Sequence, residues 1–192
     1  MVVGANEDVD YNAHCTWINV DHLSQGLCAG SRPHFFRGVC TVVAKLFNIV
    51  EPDVACFGKK DYQQWRVLER MARDLDFDIE IIGLPIQRES DGLAMSSRNA
   101  MLTPEHRAAA PCISKALKQA AVDPQIHSLE SIRATISDTI EKGGGIIDYI
   151  QLVNASTLKP LTSMDELGKG EGTLIAVAAH FGKVRLIDNI DF

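Results

Sequence analysis

Three short segments gather side chains able to handle phosphate and carboxylate oxygens. The first is Phe57-Gly58-Lys59-Lys60-Asp61-Tyr62-Gln63-Gln64. A glycine lets backbone N–H groups approach a ligand, and a helix start offers free N–H donors and a positive dipole end. Lys59 and Lys60 add formal charge. This is no P-loop, because Gly58-Lys59 runs into Lys60 rather than Ser or Thr, and the upstream glycine is missing. A plain turn with a solvated lysine pair accounts for the same residues. The second segment, Asp91-Gly92-Leu93-Ala94-Met95-Ser96-Ser97-Arg98-Asn99, collects two hydroxyls, an arginine and several backbone amides. Such a set can hold phosphate oxygens, the arginine supplying a fork of donors. A helix-capping loop is the competing explanation, since Ser and Asn favour caps. The third is Arg32-Pro33-His34-Phe35-Phe36-Arg37-Gly38, where Arg32 and Arg37 could meet a carboxylate or simply lie on the surface.

These segments need elements to hold them. Phe36, Val39, Cys40, Val43, Leu46, Phe47 and Val50 recur at helical spacing, which predicts a buried helix from Phe35 to Val50, stopped by Pro52. Val54 to Phe57 is a short apolar strand running into Gly58. A helix follows from about Asp61 to Asp76, then an apolar strand from Ile79 to Leu84. The order helix, strand, helix, strand predicts parallel sheet with crossover helices. Both strands are apolar throughout, as fits strands covered on two faces. Two strands alone leave an open sheet edge. Cys15 to Val20 reads as a short strand, and Asn6-Glu7-Asp8 and Asn12 as loop.

After Asn99 the pattern changes. Thr103-Pro104 starts a helix that is expected to run to about Ala121. Ser128 caps another, ending at Gly143-Gly144-Gly145. Ile146 to Val153, Thr173 to Ala178 and Val184 to Ile187 read as strands, with Gly182 in the last turn. The expected organisation is therefore a partial α/β layer over 1–99 and a small α+β unit over 100–192. Gly168-Lys169-Gly170-Glu171-Gly172 reads as a turn. Gly92 would let the loop at the boundary move.

Composition narrows the function. Of 192 residues, 46% are hydrophobic and 23% charged, enough to bury a core. The net charge of −6 argues against a nucleic-acid binder, which needs a basic face. Five cysteines, none in a C-x-x-C pair, indicate neither a disulfide framework nor a zinc site, and Cys40 and Cys56 read as small core residues. No histidine stands at metal-ligand spacing, and no G-x-S-x-G elbow is present. The chain shows no leader and no bilayer-length apolar run, so no membrane role and a cytoplasmic location are expected.

Taken in order, SRPHFFRGV at 31–39, KLFNIVEPDVACFGKKDYQQ at 45–64, DFDIEIIGLPIQRESDGLAMSSRN at 76–99 and GKVRLIDNI at 182–190 resemble the pantothenate synthetase (pantoate–β-alanine ligase) family. The resemblance covers nearly the whole chain from about residue 15. It implies a Rossmann-like nucleotidyltransferase layer, incomplete here, followed by a small α+β carboxy-terminal lid. It also implies an ATP-dependent ligase acting on pantoate and β-alanine, with Mg²⁺ carried by the triphosphate, and often a homodimer. ATP would be held by Gly58, Lys59, Lys60 and Asp61 and by Met95, Ser96, Ser97 and Arg98, with Gln87 lining the nucleotide site through its backbone. Gln64 would bind pantoate. Lys60, Ser96, Ser97 and Arg98 would serve the chemistry.

The family's H-x-G-H signature occurs nowhere in these residues. Its early pantoate-binding glutamine and magnesium-binding acid also lie upstream of the matched segments. The resulting expectation is a truncated, partial or split ligase. Two alternatives compete. One is an inactive polypeptide serving as a nucleotide-binding or interaction module. The other is a related nucleotidyltransferase with a different acid substrate, against which the match at Gln64 and 76–99 counts.

Overall fold

A computed structural model describes residues 14–30, 32, 34–122, 127–170 and 172–192. The loop expected at Asn6-Glu7-Asp8 and Asn12 lies outside them, as do Pro33 and Glu171. Helix α1 (Leu27–Gly30) is a single turn. Helix α2 (Phe35–Val50) buries Phe36, Cys40 and Phe47 of the expected stripe, with Ala44 beside them, whereas Leu46 and Val50 of that stripe are exposed. Glu51 ends it in the left-handed region (φ 48°), its N–H donating to the Phe47 carbonyl before Pro52. Strand β1 (Val54–Gly58), helix α3 (Tyr62–Asp74) and strand β2 (Glu80–Leu84) form a βαβ unit, with β1 and β2 parallel from Val54↔Glu80 to Gly58↔Leu84. Helix α3 buries Val67, Leu68 and Met71.

Several expectations fail in this half. Strands β1 and β2 are covered on one face rather than two. Ala55, Phe57, Ile79 and Ile81 pack on the α2–α3 core, whereas Val54 and Cys56 are exposed. Side chains alternate along a strand, so a second layer would be needed to bury the other set, and none stands there among the described residues. Cys56 is therefore a surface thiol, while Cys40 is fully buried and its thiol is pushed up to about 11 by burial. Helix α2 is likewise apolar on its outer side, where Val42, Leu46 and Ile49 are exposed, Ile49 by 74%. Residues Cys15 to Val20 form no strand. Their backbone is tied to α2 instead, Ile18 N–H donating to Thr41 Oγ1 at 3.0 Å.

The remaining helices and strands build the second half. Thr103 caps α4 (Pro104–Ala109), its hydroxyl accepting from His106 N–H. The expected single helix breaks at Ala110–Pro111, because proline has no N–H to donate, and α5 (Cys112–Val122) starts afresh. Ser128 and Ser131 form a reciprocal capping box on α6 (Leu129–Lys142). Strands β3 (Ile146–Asn154), β4 (Thr173–Phe181) and β5 (Val184–Asp191) make an antiparallel sheet in the order β3-β4-β5, with Gly182 (φ 59°) in the tight turn. The register shifts between Ile147 and Tyr149, a bulge at Asp148.

Alternation along β4 explains how the halves join. Ile175, Val177, Ala179 and Phe181 pack with Ile113, Leu117, Ile136 and Ile140 of α5 and α6. Leu174 and Ala176 pack on the opposite face with the α2–α3 core. The antiparallel sheet is thus covered on both sides, and β5 lies beside the turn that follows β1. The architecture is the expected α/β parallel layer followed by a small α+β unit with an antiparallel sheet.

Candidate active site

Gly58 and Leu84 are register partners at the carboxyl ends of β1 and β2, so both candidate loops leave the sheet at the same edge. Ligands bind open α/β sheets at this edge. After Gly58 a 3-10 turn (Lys59–Asp61) leads into α3. After Leu84 the chain forms a hairpin closed by an Arg88↔Ala94 bridge, then a 3-10 turn (Ser97–Met101). Ser96 Oγ accepts from Arg98 N–H, and Asn99 Nδ2 donates to the Ala94 carbonyl. The capping role considered for this loop is therefore present.

The two loops meet over a cavity of about 190 Å³. Lys60, Asp61, Gln64 and Arg98 line it, with Arg32, Phe36, Tyr149 and Arg185. A smaller adjoining hollow is lined by Lys60, Ser96 and Arg98. Of the expected site residues, Lys60, Asp61, Gln64, Ser96 and Arg98 are thus brought together. Four cations (Arg32, Lys60, Arg98 and Arg185) face Asp61 and Asp188 across this cavity. Asp188 is already paired with Arg88 and Arg185 with Asp148, while Lys60 Nζ lies 3.2 Å from Asp61. Arg98 forms no ion pair with a described residue. The balance favours an anionic occupant, and apolar Phe36 and Leu174 shield part of the wall.

Other expected residues stand differently. The Lys59 ammonium turns away, 2.9 Å from Asp191 and 5.2 Å from the Trp65 ring centroid. Ser97 and Met95 are not among the residues that line either cavity. The Gln87 side chain is exposed, and its carbonyl accepts from Met95 N–H at 2.9 Å. Gly58 is extended (φ −72°), with open space where a side chain would stand. Among the described residues Arg37 meets no carboxylate, and it stacks on Trp17 at 4.6 Å. Gly92, expected as a hinge, sits at φ 93° in a pinned hairpin: Arg88 donates to its carbonyl, and Asp91 pairs with Arg107.

Sequence reasoning passed over several contributors. Buried Gln63 donates to the Leu23 and Gln25 carbonyls and accepts from Cys28 N–H, which seats the 23–28 turn against α3. The Tyr149 phenol is pushed well above its ordinary range by burial, then by its neighbour Cys28 at 3.3 Å. Tyr62 is pushed up to about 12, mainly by burial and then by Asp191. Asp188 and Asn189 are buried polar residues set between Ile187 and Ile190, and that polar pair inside a strand was the available signal.

Comparison with known proteins identifies a family. The model of the Pantoate-beta-alanine ligase family matches residues 5–191. The pantoate–β-alanine ligase of rice (Oryza sativa subsp. japonica) is 51% identical over 191 residues, covering 96% of this chain and 58% of its own. The pantothenate synthetase of Anaeromyxobacter dehalogenans (strain 2CP-C) is 49% identical, with 92% and 60% covered. Among solved structures, pantothenate synthetase from Thermus thermophilus superposes with a TM-score of 0.84 at 38% identity, over 94% of this chain and 65% of that one. The Francisella tularensis ligase, solved in complex with beta-gamma ATP and beta-alanine, gives a TM-score of 0.69 at 31% identity, with 94% and 59% covered. The chain spans about three fifths of the length of these relatives. With the motifs at both loops, the fold and the matches all in agreement, the chain belongs to the pantoate–β-alanine ligase family.

Proposed function

We propose that this chain carries the triphosphate- and pantoate-holding part of an ATP-dependent ligase that joins pantoate to β-alanine. The observation that supports it is the gathering of Lys60, Arg98 and Gln64 around one cation-rich cavity where the parallel strands end, with Ser96 in the hollow that adjoins it. In the first step a pantoate carboxylate oxygen attacks the α-phosphorus of ATP. A P–O bond forms, pyrophosphate leaves, and pantoyl adenylate results. In the second, the β-alanine amine attacks the activated carbonyl, loses a proton, and expels AMP to leave pantothenate.

Attack by one anion on another needs neutralised charge and alignment more than a covalent nucleophile. Lys60 and Arg98 neutralise phosphate charge, Ser96 donates to phosphate oxygens, and Gln64 orients pantoate beside Asp61. The turn at Gly58–Asp61 and the loop at 95–98, with Gln87, cradle the nucleotide. Lys59 contributes its backbone rather than its ammonium. Residues 1–99 form the nucleotide- and pantoate-binding unit, and 100–192 the lid that keeps water from the acyl adenylate. Magnesium enters with the triphosphate as part of the substrate. The reading also takes the protein as a homodimer of the cytoplasm. No helix among the described residues is long and apolar enough to cross a membrane.

The test is AMP release from pantoate, β-alanine and ATP. It uses a chimera in which residues 15–192 replace the corresponding part of the rice relative. The proposal expects release that requires pantoate. A folded chimera without it contradicts the proposal.

A further inference from the structure

We infer that Asn189 is a positioning residue that aims Lys60 into the cavity from strand β5, an inference that rests on the phosphate-holding reading above. Asn189 is 4% exposed, and its Nδ2 donates to the carbonyls of Lys59 at 2.9 Å and Lys60 at 3.0 Å. Both amide hydrogens are therefore spent on one turn. That turn has no capping side chain of its own, at Gly58 or at Asp61. Its carbonyls are fixed from outside, by a strand more than a hundred residues later in the chain.

The neighbouring residue does the same for the other loop. Asp188 is 3% exposed and holds the Arg88 guanidinium in a fork at 2.7 and 3.0 Å. Arg88 in turn donates to the Gly92 carbonyl, inside the hairpin that leads directly to Ser96 and Arg98. Asp188 Oδ1 also accepts Asn189 N–H at 2.8 Å, so the two anchors share an atom. Adjacent strand residues point to opposite faces. Strand β5 thus passes between the two loops and touches both, and the hollow shared by Lys60, Ser96 and Arg98 has residues 185–188 as its wall. The spacing of Lys60 from Arg98 is set by this strand, not by either loop.

A double-mutant cycle on MgATP binding separates aiming from mere stabilisation. MgATP is titrated calorimetrically into the chain and its variants, with folding followed by circular dichroism. Asn189→Ala is expected to weaken MgATP about tenfold, the scale of a lost pair of backbone anchors. In a Lys60→Ala background the same change is expected to cost less than about twofold, because the group it aims is gone. Asn189→Ser, which keeps one donor, serves the same cycle if the alanine variant does not fold. A wild-type chain that fails to bind MgATP overturns the site reading itself. Binding by the wild type with no loss in Asn189→Ala and Asn189→Ser, or with an equal loss in both backgrounds, overturns the inference alone.

Discussion

Replacing Arg88 by methionine is expected to destabilise the chain more than its partly exposed position suggests. The Asp188 carboxylate is 3% exposed and receives two guanidinium hydrogen bonds, at 2.7 and 3.0 Å. Without Arg88, the Asn189 backbone N–H is the hydrogen-bond donor that remains to it among the described residues. Leaving one member of a buried pair uncompensated costs about 3–5 kcal/mol. The arginine side chain is 23% exposed, so water reaches its side of the pair, and the lower end, about 3 kcal/mol, applies. For a chain of this length that corresponds to a fall in Tm of about 6–12 °C. Urea unfolding followed by circular dichroism measures it. The double change Arg88→Met with Asp188→Asn removes the stranded charge, keeps the acceptor for Asn189 N–H, and is expected to recover about 2 kcal/mol. If Arg88→Met lies within about 0.5 kcal/mol of the parent, or if the double variant is no more stable than the single, the account of this pair is wrong.

Two further outcomes follow from the packing. The Tyr62 phenol ionises at about 12 in the folded chain, above its ordinary value near 10, so its contribution is complete below pH 10 and is lost as pH rises toward 12. Tyr62→Phe is expected to flatten that alkaline decline by roughly 2–3 kcal/mol, and identical slopes in Tm against pH for both proteins would refute it. In Gly83→Ala the new methyl would lie 2.6 Å from the Trp65 ring, which is also packed edge-on against Tyr62. A loss of about 1–3 kcal/mol in urea unfolding is expected, and an unchanged midpoint would show that the ring has room.

How much of this was legible in the sequence depended on the range of the interaction. Helix α2 and strand β1 were readable because their apolar spacing and Pro52 are local signals. The break at Pro111 was equally local, yet the expected helix ran through it, since the flanking alanines and leucines carry strong helix propensity. The single-sided cover of β1 and β2 was not readable. A short apolar run has the same pattern whether or not a second layer covers its other face. At the site, Lys60, Asp61, Ser96 and Arg98 stood out by residue type, and Gln64 through the family resemblance. What holds them did not: the Arg88–Asp188 pair and the Asn189 bonds to Lys59 and Lys60 join segments about a hundred residues apart or more, and no local spacing encodes them. The turn of Lys59 away from the cavity depends on Asp191 and Trp65 and was hidden for the same reason.

The most direct test is steady-state AMP release by the chimera carrying residues 15–192, with Lys60→Ala and Arg98→Ala made in it. The account predicts release that needs pantoate and yields pantothenate when β-alanine is present. It also predicts that each variant lowers kcat by about 10²–10³, the usual loss for one transition-state donor. A chimera in which both variants turn over as fast as the parent would contradict it.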